Sequence, residues 1–172
     1  MQGDIPASIL DFTKAIELER NYLDAYINRG ISHSKLRDFE SAFKDFNMAL
    51  RINPSSFKTL SMRAYALLDM GRYDESIADY NRLIQVNPQD GNSYFYRGLA
   101  MQRKNNFPAA VKDYSLAIQV SPANGSAYLN RAICYEALKD FPRALQDARA
   151  AQKAGQNIAP DFIERLKAGG RK

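Results

Sequence analysis

Apolar residues along the chain return every three or four positions, and the whole pattern returns every 34 residues. With position 1 set at Leu23, Phe57, Gly91 and Gly125, four units align without an insertion behind a partial unit at residues 1–22. Position 4 reads Tyr26, Leu60, Tyr94, Tyr128, and position 8 reads Gly30, Ala64, Gly98, Ala132. Position 20 reads Ser8, Ala42, Ser76, Ala110, Ala144; position 24 reads Phe12, Phe46, Tyr80, Tyr114, Ala148; position 27 reads Ala15, Ala49, Leu83, Ala117, Ala151. Positions 4, 8 and 11 form one helical stripe and positions 20, 24 and 27 another. The small residues at 8 and 20 mark where the two helices touch closely. Pro54, Pro88 and Pro122 at position 32 cannot continue a helix and separate one unit from the next. Pro6, Pro108 and Pro142 at position 18 suit the first turn of a second helix, where a missing N–H costs nothing. Each unit is therefore predicted to be helix, turn, helix.

Two charged columns run through the pattern. Position 7 is Arg29, Arg63, Arg97 and Arg131, and position 23 is Asp11, Asp45, Asp79, Asp113 and Asp147. At about 100° per residue, position 7 lies roughly 60° to one side of the first stripe and position 23 the same angle from the second. In an antiparallel hairpin equal offsets share a seam, so Arg29 can reach Asp45. Stacking would also bring Arg29 near Asp11 of the preceding unit, and the sequence leaves both pairings open. A row of guanidinium groups also suits phosphate. An acid matched to every arginine favours a structural ion-pair ladder.

These columns resemble the tetratricopeptide repeat (TPR) family, whose run of aromatic, Gly/Ala, aromatic, Ala, aromatic, Ala and Pro is met at the positions quoted. The departures are Leu60 for the first aromatic, Ala148 for the third, and Gln156 where the last proline would fall. The resemblance implies an all-α fold, a right-handed superhelical α-solenoid of antiparallel helix pairs. The units are then the second helix of a partial repeat at 1–22, repeats at 23–56, 57–90, 91–124 and an atypical 125–158, and a capping helix and tail at 159–172. In the cap, Phe162, Ile163 and Leu166 fall on one side of a short helix and would cover the end of the stack. At the other end Ile9, Phe12 and Ile16 would face water, so the expectation is either a longer array or an open edge.

Charge and composition change the picture little. The formal net charge is +5, but residues 1–90 carry eleven basic against thirteen acidic side chains and residues 91–172 thirteen against six, so the basic character belongs to the C-terminal half. One cysteine, Cys134, leaves no internal disulfide and fits a reducing compartment, which favours the cytoplasm. No signal-like or membrane-spanning apolar run is present, so no membrane insertion is expected. One His and one Cys, without HExxH, P-loop or GxGxxG, predict no enzyme, no metal and no cofactor. His33, in the column of Leu67, Met101 and Tyr135, reads as a semi-buried packing residue, and Cys134, in the column of Ser32, Ala66 and Ala100, as an inert buried thiol.

The side of the first helix away from the hairpin, positions 2, 5, 6, 9, 12 and 13, lines the concave groove in the TPR family. Here positions 5 and 6 read Ile27-Asn28, Ser61-Met62, Phe95-Tyr96 and Leu129-Asn130, and position 9 reads Ile31, Tyr65, Leu99, Ile133. Such a face is apolar for a solvated surface, although position 9 can also pack against the adjacent first helix. The candidate partner-binding residues are Asn28, Ile31, Met62, Tyr65, Phe95, Tyr96, Leu99 and Asn130, with the aromatic and Met side chains as anchors and the asparagines bonding a partner backbone. The Lys/Asn clamp by which some TPR domains hold a chaperone's C-terminal carboxylate is not matched: its positions carry Ile27, Ile31, Met62, Asn92 and Tyr96. The expected function is a non-enzymatic scaffold that binds a peptide segment of a protein partner. One alternative is self-association or array continuation through the N-terminal helix. Another, RNA binding through the basic C-terminal half, is opposed by the 34-residue period and the matched acids.

Overall fold

The computed structural model describes residues 4–170 and is all-helical over them. The helices are α1 (Ile5–Leu18), α2 (Leu23–Lys35), α3 (Phe39–Ile52), α4 (Phe57–Asp69), α5 (Tyr73–Val86), α6 (Gly91–Arg103), α7 (Phe107–Val120), α8 (Gly125–Ala137), α9 (Phe141–Lys153) and α10 (Pro160–Gly169). They follow one another as antiparallel pairs. The chain divides into two compact units, residues 1–79 and 80–172, with the division inside α5.

Local chemistry sets the helix boundaries. Asp38, Asn106, Asn124 and Asp140 accept the backbone N–H three residues on and so satisfy a donor that the first turn leaves orphaned. Each first helix ends in the same way. Arg37, Gly71, Asn105 and Lys139, all at position 15, have φ between 60° and 76°. The N–H of each bonds the carbonyl three residues back, and the next N–H bonds the carbonyl five residues back, as in Asp38 to His33 at 2.9 Å and Asp140 to Tyr135 at 2.8 Å. This is a Schellman end, which reverses the chain in a few residues and delivers it to the next N-cap.

In the first unit α2 packs on α3 and α3 on α4, with α1 against α2. Gly30 shows how closely α2 and α3 approach: a Cβ placed there would lie 2.6 Å from the Phe46 ring. Phe46 is 1% exposed and Ala42 is fully buried. In the second unit α6 pairs with α7, α8 with α9, and α7 with α8. Tyr114 fills the space under Gly98 in the same manner.

Ala148, where the other units have an aromatic ring, is also fully buried, because Leu166 of α10 packs with it and with Ala132, Tyr135 and Ala144. Phe162 and Ile163 rest half-buried on the same cluster. The short side chain at position 148 makes the seat for α10. Among the described residues no helix is long and apolar enough to cross a membrane.

Candidate functional site

The four arginines are spent on the scaffold. Arg29 holds Asp45 through Nε at 2.9 Å and Nη2 at 2.8 Å, and the same two-pronged contact joins Arg63 to Asp79, Arg97 to Asp113, and Arg131 to Asp147 at 2.6 to 2.8 Å. The aspartates are 3 to 5% exposed. Hydrogen bonding to these carboxylates, the largest influence, raises the pKa of Arg29, Arg97 and Arg131 further. Guanidinium forks held in this way are poorly placed to take a phosphate.

The third prong differs from the expected ladder. Nη1 of Arg29 reaches back to Thr13 of the preceding helix at 3.0 Å rather than to Asp11, which is exposed and makes no ion pair among the described residues. Arg63, Arg97 and Arg131 likewise reach Asn47, Asn81 and Ser115. These acceptors occupy position 25, a polar column of Thr, Asn, Asn and Ser that was open to reading from the period alone. The seam-sharing aspartate takes the bidentate fork, and a neutral oxygen two residues further along takes the remaining N–H. A second carboxylate there would be a second charge to desolvate.

In the first unit, Ile31 and Met62 are half-buried against Ala42, Phe46 and Ala66, so much of their apolar surface already serves the contact between α2, α3 and α4. Tyr65 is 40% exposed and meets Phe39 edge to face, ring centroids 6.4 Å apart. Asn28 is exposed on the same helix as Ile31. Of the candidate residues on this unit, Tyr65 and Asn28 are the exposed ones.

In the second unit, Phe95 and Tyr96 are half-buried. Phe95 leans on Tyr114 with centroids 5.7 Å apart, and Tyr96 stacks on Tyr80 at 5.9 Å. Leu99 is half-buried on the same helix. Asn130 donates its amide to the Ser126 carbonyl at 2.9 Å, so that donor is engaged within α8.

A pocket that the sequence columns did not reveal lies beside them. A cavity of about 360 Å³ is lined by Leu129 and Ile133 of α8, by Asn157, Ile158 and Ala159 of the α9–α10 connection, and by Phe162 of α10. At its edge Arg165 donates to Glu136 at 2.6 Å and lies over the Phe162 ring. Leu129 and Ile133 belong to columns 5 and 9, but Ile158 stands outside the 34-residue register, which is why the pocket could not be read from the repeat.

The two reactive side chains are occupied or sequestered. His33 Nδ1 lies 3.2 Å from Asp38, whose carboxyl titrates below its usual range chiefly because Ser41 hydrogen-bonds to it. Cys134 is fully buried, and burial pushes its thiol up to about 12.

Family profiles recover the same repeat. One described as TPR repeat matches residues 64–105, and two described as tetratricopeptide repeat match residues 23–56 and 102–157. Among curated proteins, a UDP-N-acetylglucosamine--peptide N-acetylglucosaminyltransferase from Giardia intestinalis is 36% identical over 45 residues, 26% of this chain and 3% of that enzyme's length. Among solved structures, MamA 41-end from Desulfovibrio magneticus RS-1 superposes with a TM-score of 0.84 at 16% identity, covering 95% of this chain and 88% of that one. YrrB, described as a TPR protein with an unusual peptide-binding site, gives 0.80 at 17% identity, covering 95% and 84%. At these identities the likeness is one of fold.

Proposed function

The chain belongs to the tetratricopeptide repeat family, and from that premise we propose that it is a non-enzymatic interaction scaffold that holds a peptide segment of a protein partner. The observation that carries this reading is the pocket of about 360 Å³ walled by Leu129, Ile133, Ile158 and Phe162. A concave, mostly apolar hole with a few polar groups at its rim accepts one large apolar side chain and fixes its direction. Glu136 and Arg165, paired at that rim, supply an acceptor and a donor to a bound backbone.

Each unit by itself offers further apolar contact, Tyr65 on the first and Phe95 with Leu99 on the second. The half-burial of Phe95 leaves it less to give than Tyr65. Fold-level likeness to YrrB, whose description names a peptide-binding site, is consistent with this use of the fold and assigns no residue here. A catalytic role has little to work with, since the Cys134 thiol is buried and neutral and His33 is tied to Asp38. The short match to a glycosyltransferase covers 45 residues and carries no activity to this chain.

The test is peptide selection from a random display library against the full chain, followed by measurement of the selected peptides on Ile133→Arg and on Tyr65→Ala. Both substitutions fall on accessible or half-buried positions, and retained helicity is checked first. Selected peptides share an apolar anchor residue and lose at least tenfold in affinity on one or both variants. Peptides that bind both variants as well as the parent place the site elsewhere and refute the proposal.

A further inference from the structure

The hairpin of α8 and α9 lacks the ring that fills the others. In α2 with α3, and in α6 with α7, a small residue at position 8 lies against an aromatic ring at position 24, Gly30 against Phe46 and Gly98 against Tyr114. Here those positions are Ala132 and Ala148, and the room they leave is filled from outside the repeat by Leu166 of α10, which is 1% exposed and packs with both. Leu166 does for this hairpin what a ring at position 148 would do.

Helix α10 has little else to hold it. It is ten residues long, and its N-cap is Ala159, whose side chain cannot bond the first turn. Leu166 is the residue it buries, whereas α8 buries five residues and α9 four. A helix of this length is marginal by itself in water, so its helicity depends on its docking. Phe162 and Ile163 add half-buried contact to the same cluster, and Gly169 lies against the Phe141 ring. The Arg165–Glu136 pair joins side chains that are 60% and 22% exposed, an interaction that water weakens.

The walls of the pocket fall on both sides of this contact. Leu129, Ile133 and Glu136 come from α8, and Phe162 and Arg165 from α10. Leu166 and Ala148 line no part of it. A side chain held in the pocket touches α8 and α10 together, and so favours the docked arrangement over any in which α10 has left its seat.

We infer that α10 is a strap whose docking completes the pocket, so that an apolar ligand side chain and the α10 seat stabilise each other, with Leu166 and Ala148 as positioning residues. The inference rests on the reading of the pocket as the peptide site. Such coupling is reciprocal. Weakening the seat lowers the apparent affinity in proportion to the fraction of molecules in which α10 stays docked, and filling the pocket holds α10 in place by the same factor. The seat is separable from the stack: Ala148→Phe restores the ring of the other hairpins and displaces Leu166 while α8 and α9 keep a filled core, and Leu166→Ala removes the plug itself.

The test uses the full chain and N-acetyl-tryptophanamide, one large apolar side chain between two amides, titrated by amide nitrogen–proton correlation spectra with hydrogen exchange read in parallel. In the free protein the α10 amides exchange roughly a hundredfold faster than those in the middle of α8. The probe shifts the amides of Leu129, Ile133, Ile158 and Phe162 and slows exchange in α10. In Leu166→Ala and Ala148→Phe its affinity falls by about tenfold or more while α8 and α9 keep their protection, and Leu166→Met, which refills the seat, restores binding. Amides in α10 as protected as those of α8 overturn the inference. So do folded variants that bind the probe as the parent does, and in that case the pocket reading stands. A probe that leaves those four amides of the parent unshifted removes the pocket reading and this inference with it. If Ala148→Phe fails to fold, Leu166→Ala and exchange in the parent decide the question by themselves.

Discussion

Replacing Arg97 by methionine isolates one of the four buried arginine–aspartate pairs. The guanidinium donates to Asp113 at 2.7 and 2.6 Å and to Asn81 at 2.6 Å, and the Asp113 residue is 3% exposed. Methionine keeps most of the aliphatic stem, so the loss falls on charge and hydrogen bonds. Removing one partner of a buried pair strands the other charge, which costs about 3–5 kcal/mol. With a urea m-value of about 2 kcal/mol/M, the midpoint falls by roughly 2 M. Urea unfolding followed by circular dichroism at 222 nm measures this directly.

Two companions sharpen the result. Arg97→Met with Asp113→Leu removes both charges and recovers most of the loss, because replacing a buried pair by apolar side chains is often close to neutral. Lys167→Met breaks an exposed i,i+3 pair with Glu164 and changes stability by less than about 0.5 kcal/mol. A midpoint shift below about 0.5 M for Arg97→Met, or a double variant no more stable than the single one, refutes the view that the pair acts by satisfying a buried carboxylate.

Two further outcomes follow from local geometry. Arg37→Gly and Lys139→Gly relieve side chains held at φ near 61°, and each raises stability by about 0.5–1 kcal/mol, the left-handed penalty less the extra freedom glycine has when unfolded; calorimetry reads the rise in Tm, and a fall contradicts the Schellman assignment. The Cys134 thiol, raised to about 12, stays protonated at pH 8 and reacts with a disulfide reagent only as fast as the protein opens, so denaturant accelerates labelling manyfold, whereas rapid stoichiometric labelling of the native protein contradicts its burial.

The hairpin seams were legible because each seam position answers to one neighbour at a fixed distance. Position 8 must be small where the ring at position 24 presses on it, and Gly30 with Phe46 shows how little room remains. The bidentate arginine pairs follow from equal angular offsets on two antiparallel helices, so the partner sixteen residues ahead could be computed from the period. For the contact with the preceding unit, Asp11 was one of two pairings the sequence left open. Asp11 shares the correct column for the hairpin, but the stacking of one pair on the previous pair shifts the contact to position 25, and only coordinates fix that shift. The pocket at the C-terminal end was hidden for a different reason, since Ile158 and Phe162 belong to segments outside the repeat.

The same reasoning says where selectivity can reside. Seam columns repeat because a glycine, a ring and an ion pair must fit each other whatever the molecule binds. Positions 5 and 6 carry no such obligation and differ in every unit: Ile27-Asn28, Ser61-Met62, Phe95-Tyr96, Leu129-Asn130. In the second unit Phe95 and Tyr96 are partly committed to Tyr114 and Tyr80, and the Leu129 face lines the pocket beside α10. Packing is drawn from the repeated columns, so substitutions at Asn28 and Tyr65, exposed members of columns 6 and 9, cost little in folding, those at Ile31 and Met62, which pack on Ala42, Phe46 and Ala66, cost more, and those at positions 7, 8, 23 and 24 cost most.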